Sequence, residues 1–359
     1  MSQAKDHNKR LVWALTYAND RQASWEPFSA LKMYQSELVT KFSTHIHFDR
    51  AETIDGAVAQ SKIIKPDIAL ICPTWRFGCD DIKHLLDALR AAGAIRKIVF
   101  IDTCDATSTP FLPLLANVDL YLKPHLFRDT SAYLREYTGG YVFTDYLVHQ
   151  LGWSIDKWSF GSRAEKEQLG KLRVGWSYGV SSRVRAIASI SSLSPLPWAL
   201  RSTVVNRRFR PVQRNIQEWY EQYRDMASKS VEQLKGRTKI SSYERIGYKR
   251  YLLELMTSKF ALSPFGWGEV CIRDYETVAC GALLIKPDMT HVKTAPDIFR
   301  KYETYVPIKW DFSDLAQTID YYVSRPDEAK RIAGNGQRCL LDYFKQKQFL
   351  KDFVHHLDG

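Results

Sequence analysis

SKFALSPFGWGEVCIRDYETVACGALLIKPD, residues 258–288, is the stretch from which the rest of the chain can be read. KFALSP (259–264) has the apolar, strand-like character of a buried β-strand, and ALLIKP (282–287) repeats it. Between them lie a turn around Gly266 and Gly268 and a helix over 270–280 that Gly281 closes. A strand, a glycine turn, a helix and a second strand make one unit of a parallel α/β fold. The two glycines allow close backbone approach, and the start of the helix offers unsatisfied N–H groups to an anion. Arg273 sits one turn into that helix, with Glu276 three residues later on nearly the same face.

Working outward, the first 150 residues alternate in the same way. RLVWALTYA (10–18), STHIHF (43–48), PDIALICPTW (66–75), RKIVFIDTC (96–104) and NVDLYLKP (117–124) read as strands. Helices are expected over 26–41, 50–63 and DDIKHLLDALRAAG (80–93). In parallel sheets of this kind ligands lie beyond the carboxyl ends of the strands. That rule gathers Tyr17, Asn19, Asp20, Thr74, Arg76, Asp102, Asp105 and Lys123 on one rim. Residues 150–171 read as a linker, and LRVGWSYG (172–179) as the strand that opens a second α/β series. Its following loop brings Ser177, Gly179, Ser182 and Arg183 to a helix start, a second place for an anion. Further helices are expected over 214–235, 243–257, 312–324 and 326–344, with a strand over 305–310.

The formal net charge is +11, and residues 201–250 hold 13 Lys or Arg against five Asp or Glu. The imbalance points to a phosphate-bearing partner: a nucleoside diphosphate, a lipid phosphate or a nucleic acid. From Trp198 to Arg214 five arginines (201, 207, 208, 210 and 214) stand without an acid, beside Trp198, Leu200, Val204, Val205 and Phe209. Unpaired charges are too costly to bury. Two readings stand: the arginines meet an anionic membrane surface, or they line a cleft and bind phosphates. The six cysteines form no CxxC pair and read as small buried hydrophobes. No apolar run reaches the roughly 18 residues of a membrane span. The polar start MSQAKDHNKR is unlike a secretory signal, so a cytoplasmic location is expected.

With these residues in place, 258–288 resembles the donor domain of GT-B glycosyltransferases, in particular bacterial family-1-like and exostosin-like members. The likeness lies in the strand ending in Ser263-Pro264, in Gly266-Trp267-Gly268, in Arg273, and in Glu276, Ala279 and Gly281. VPIKWDFSDLAQTIDYYVSRPDEAKRIAGNGQ (306–337) is similar to the family's closing segment. The resemblance covers about 240–345; the N-terminal half matches only as a generic α/β pattern. It implies two Rossmann-like domains facing across a cleft. The first, 1–165, would take the acceptor and the second, 170–335, the nucleotide sugar. The terminal helix 336–359 would pack back toward the first domain.

The implied activity is sugar transfer from a nucleotide sugar to a hydroxyl of a glycan or lipid-linked glycan. Its setting would be bacterial envelope polysaccharide or lipopolysaccharide synthesis, with no metal, no other cofactor and no nucleic-acid partner. Donor contacts are expected from Ser177, Gly179, Arg183, Lys249, Gly266, Trp267, Gly268, Arg273 and Glu276, and acceptor contacts from Tyr17, Asn19, Arg76 and Lys123. Asp20, Asp105 and Glu269 are the carboxylates considered for catalysis. Retaining members usually carry a Glu eight positions before the second one, and Gly268 occupies that position here with Glu269 one residue away, which favours inversion. Blander readings stand beside these. Arg273 and Glu276 would also suit a surface i, i+3 pair worth a few tenths of a kcal/mol. Each aspartate would also suit a turn, Lys249 a solvated helix face and Trp267 the core. The basic 198–250 stretch would also suit a nucleic-acid-binding or non-catalytic nucleotide-binding protein.

Overall fold

The structure is a computed structural model that describes residues 9–18, 27–209 and 218–359. Asn19, Asp20, Arg210 and Arg214 lie outside the described residues. The first half runs β1 (Arg10–Tyr17), α1 (Ser29–Met33), α2 (Gln35–Phe42), β2 (Thr44–Ala51), α3 (Ile54–Ile64), β3 (Ile68–Pro73), α4 (Cys79–Ala91), β4 (Lys97–Ile101) and β5 (Leu120–Lys123). Then come β6 (His125–Phe127), α5 (Val142–Leu151) and β7 (Leu172–Val174). Six of these strands form one parallel sheet in the order β2-β1-β3-β4-β5-β7.

Strand order reverses between β1 and β3, and a crevice is expected beyond the strand ends at such a point. β3 is buried along its whole length, as the unbroken apolar run IALIC requires of a strand covered on both faces. Alternation sorts β1 cleanly. Val12 and Ala14 face one core, shared with the second half, while Trp13 and Leu15 face the other.

The second half contains α6 (Ser182–Leu193), β8 (Thr203–Asn206), α7 (Trp219–Glu232), α8 (Tyr248–Met256), β9 (Ser258–Leu262), α9 (Ile272–Ala279) and β10 (Leu283–Pro287). It continues with β11 (Val292–Thr294), β12 (Val306–Ile308), α10 (Leu315–Ser324), α11 (Pro326–Lys345) and α12 (Gln348–Asp358). Its sheet is parallel, in the order β12-β10-β9-β8.

Two features depart from the sequence reading. β7 does not open the second unit but closes the first sheet, pairing Tyr121 with Leu172 and Lys123 with Val174. A three-residue strand carries no local mark of which sheet it joins. Secondly, β6 pairs antiparallel with β11, Val292 opposite Phe127 and Thr294 opposite His125, and this ribbon joins the two halves. The last helix, α12, lies on the first half. Phe349 stacks on Tyr34, and the Lys97 ammonium donates to the carbonyls of His356 and Leu357 at 3.2 and 3.1 Å, where the helix end is electronegative.

Three arginines of the basic stretch are satisfied within the protein, which corrects the reading of them as uncompensated. Arg201 is buried and donates to the carbonyls of Ser258 and Gly281 at 2.9 and 2.7 Å. Arg207 is buried, pairs with Glu232 and lies over the Tyr243 ring at 3.6 Å. Arg208 holds Glu254 with two hydrogen bonds of 2.8 and 2.6 Å. The compensating acids lie 25 and 46 residues away in sequence, so a local charge count could not find them. The double substitution Arg207→Ser/Arg208→Ser should therefore lower stability by about 3 kcal/mol, since it leaves Glu254 without its cation and Glu232 with Lys235 alone. Chemical denaturation checks this; an unchanged midpoint would return these residues to the surface.

Candidate functional site

A cleft of about 850 Å³ opens at the β1/β3 switch point. One wall is the strand-end rim of the first sheet, with Thr16, Thr74, Arg76, Thr103 and Asp105. Facing it are the starts of two helices: Ser181, Ser182 and Arg183 on α6, and Cys271 and Ile272 on α9. The Ser181 hydroxyl caps α6 by accepting from the Val184 N–H at 3.3 Å. In α9 the Cys271 N–H is taken by Asp274 at 2.9 Å, as the Ser181 N–H of α6 is by the Gly179 carbonyl at 3.1 Å.

Four of the expected site residues line this cleft: Arg76, Asp105, Arg183 and Trp267. Asp105 keeps a solvent-facing surface while protein crowds its carboxyl, and this desolvation raises its pKa above the ordinary carboxylate value. The Tyr178 hydroxyl donates to one carboxylate oxygen and opposes that rise. Arg183 lies 5.3 Å over the Tyr248 ring. Trp267 is held edge-on by Trp158 and Tyr220, each 5.4 Å away, and is at once a packed aromatic and a wall of the cleft. Sequence reading did not single out Thr16, Thr103, Tyr178 or Cys271; the strand-end rule reaches the first two once strand bounds are known.

Other expected residues stand one layer back. Gly268 packs so tightly that an added Cβ would lie 1.9 Å from the Asp105 carbonyl oxygen, and one on Gly179 would lie 2.2 Å from the Tyr275 ring. These glycines serve close approach between protein segments. Gly266 closes the turn by donating its N–H to the Gly268 carbonyl at 3.0 Å. Ser177 is buried and donates to the Ala295 carbonyl at 3.0 Å. Tyr17 is buried and stacked on Phe77 at 4.7 Å.

Glu276 is buried and accepts from the Tyr248 and Tyr251 hydroxyls at 2.7 and 3.1 Å. Burial raises its pKa, while the two tyrosines, Arg273 and Arg183 oppose the rise. Arg273 donates through Nε to the Ser263 hydroxyl at 3.2 Å and faces the Phe209 ring. Their environment is thus shared with tyrosines of α8 and is not that of a surface ion pair.

Three expectations are corrected. Lys123 is fully buried, 3.3 Å from Asp102 and 3.0 Å from the Cys104 carbonyl, so it braces the rim from within and does not meet an acceptor. Glu269 is fully buried and accepts from the Thr107 N–H and hydroxyl at 2.8 and 2.7 Å. His291, His125 and Thr107 hold it down to about 2 despite its burial. It ties the glycine turn to the first half and is not open to a reacting group. Lys249 is exposed on α8 and does not line the cleft.

Residues 205–354 match the family described as glycosyl transferase-like. No curated protein matches the chain by sequence. Among solved structures the chain is similar to an alpha-glucosyltransferase in complex with UDP and a 13-mer DNA containing an HMU base. That similarity is 11% identity and a TM-score of 0.53, over 98% of this chain and 100% of that one. A glycosyltransferase from Rickettsia africae gives 11% and 0.54 over 97% of each chain. Sucrose-phosphate synthase from Thermosynechococcus elongatus gives 9% and 0.53 over 96% and 98%. At such identities the likeness is one of fold: two Rossmann-like domains facing across a cleft. The chain thus carries a glycosyl transferase-like domain over 205–354 and has the GT-B fold throughout.

Proposed function

We propose that the protein transfers a sugar from a nucleoside-diphosphate sugar to a hydroxyl of a glycan or lipid-linked glycan, with inversion, using Asp105 as the base. The observation that carries the reading is the placement of a desolvated carboxylate on one cleft wall opposite Arg183 and the start of α6. In this reading the donor diphosphate lies against Ser181, Ser182 and Arg183, where amide N–H groups and a guanidinium favour negative charge. Asp105 takes the proton of the acceptor hydroxyl as its oxygen bonds to the anomeric carbon. The bond from that carbon to the diphosphate breaks, and the released charge is met by Arg183 and the helix start without a call for metal. Glu276, with Tyr248 and Tyr251, fixes the nucleoside end of the same site.

UDP is the first nucleotide to test, since a structure of similar fold carries it. The resemblance of 258–288 supports an envelope polysaccharide or lipopolysaccharide as product. Among the described residues no helix is long and apolar enough to cross a membrane. Product NMR of the anomeric proton decides the stereochemistry: an inverted signal supports a single displacement assisted by Asp105, and a retained one overturns it.

Glu276→Gln should weaken UDP binding by about 1.5–3 kcal/mol, the range for hydrogen bonds to a charged group. Its effect on stability should run the other way. A carboxyl whose folded pKa is raised binds its proton more tightly in the folded state. It therefore costs stability as pH climbs from the unfolded carboxylate value through the raised one, and the full cost applies at neutral pH. The glutamine variant should thus melt no lower than the parent at pH 7 while calorimetry shows the weaker UDP isotherm. Equal UDP affinity in the two proteins would remove Glu276 from the donor site.

A further inference from the structure

Beside the main cleft lies a second hollow of about 400 Å³ that the proposed reaction does not use. Trp75, Arg76 and Phe160 line both spaces, so the hollow is a side branch of the cleft. Its remaining wall is formed by Phe77, Gly78, Cys79, Pro110 and Phe111. Trp75 is 53% exposed, and Arg76 lies 5.5 Å over its ring. The walls thus carry aromatic side chains, with one cation at the junction. Asp80 and Asp81, in the first turn of α4, do not line the hollow, and Asp81 accepts from the Gly78 N–H at 3.1 Å.

We propose that this side branch seats a second sugar ring of the acceptor, a ring bearing an anionic substituent, so that the enzyme extends an acidic saccharide and not a lone monosaccharide. The inference rests on the proposed function, which places the acceptor on this wall. Aromatic rings present negative faces, and the C–H faces of a pyranose, which are slightly positive, match them. The volume is at the small end of ligand clefts and suits a ring with its substituents, not an extended acyl chain. A nucleic-acid strand calls for a basic track along its backbone, and the hollow has a single arginine. Carboxylate and phosphate substituents share the chemistry that Arg76 recognises.

The test uses the full chain and binding measured by ligand-observed NMR, with methyl glucuronide, glucose 6-phosphate, methyl glucoside and hexyl phosphate as probes, alongside UDP calorimetry. Binding of methyl glucuronide or glucose 6-phosphate is expected to exceed that of methyl glucoside by about tenfold, and the stronger of the two identifies the substituent. Arg76→Gln should bring the charged and uncharged sugars level. Cys79→Phe, which fills the hollow from a residue outside the main cleft, should abolish sugar binding while UDP still binds. If UDP binds the parent protein but neither acidic sugar does, or if Cys79→Phe leaves their binding intact, the side-branch assignment is wrong while the donor site stands. Preference for hexyl phosphate over both sugars overturns it in favour of a lipid phosphate. Failure of UDP to bind the parent protein overturns the reading of the donor site instead.

Discussion

Asp105→Asn is expected to lower kcat by about 10²–10⁴-fold, the usual contribution of a positioned general base. Asparagine keeps the shape and can still accept from the Tyr178 hydroxyl, so substrate binding should change little. The loss should fall on kcat and not on KM, which separates a base from a positioning group. A pH profile gives a second reading. Because crowding raises the Asp105 carboxyl, turnover in the parent enzyme should fall on the acid side at a pH above the ordinary carboxylate range. The variant should lack that limb. The accompanying effect on stability is small, since the side chain keeps a solvent-facing surface. A variant that turns over within threefold of the parent would move the base elsewhere on the rim.

Lys286→Met should cost the fold about 3–5 kcal/mol, the range for removing one partner of a buried ion pair. Lys286 and Asp274 are both fully buried, with the ammonium 3.1 Å from the carboxylate. The same carboxylate accepts from the Cys271 N–H and the Ser263 hydroxyl, so the pair braces the start of α9 against the end of β9. Methionine fills the space but leaves Asp274 charged and enclosed. Adding Asp274→Leu should restore much of the loss, because two apolar groups need no counter-charge. Denaturant midpoints of the single and double variants check both statements. A double variant no more stable than the single one would show that the pair is not the source of the cost.

How much of this was legible in the sequence follows from the range of the interactions. β3 and β10 were visible because strands buried on both faces are continuous apolar runs. The glycine turn and the start of α9 were visible because close approach leaves only glycine as an option. The α6 start was visible as a run of Ser and Arg after a strand. What escaped was non-local. Lys123 looks like a rim cation until β5 is seen to bring it to Asp102, the residue after β4. Arg207 and Arg208 look unpaired until α7 and α8 bring Glu232 and Glu254 to them. Glu269 looks catalytic by its spacing, yet it spends both oxygens on Thr107, 162 residues earlier. The three-residue strands β6 and β11 have no period long enough to detect.

The β6–β11 ribbon bears on how this fold can be recombined. In a protein whose halves met only through side chains, one half could be exchanged for another by cutting at the linker and matching a few surface residues. Here each half lends a strand to a shared ladder, and Arg128 adds hydrogen bonds to the Val292 carbonyl and to Asp297 across the same seam. A half expressed alone would present an unpaired strand edge, the kind of surface that templates aggregation. A chimera that keeps the donor specificity of one enzyme and the acceptor specificity of another would have to inherit β6 and β11 as a matched pair, in register, from a single parent.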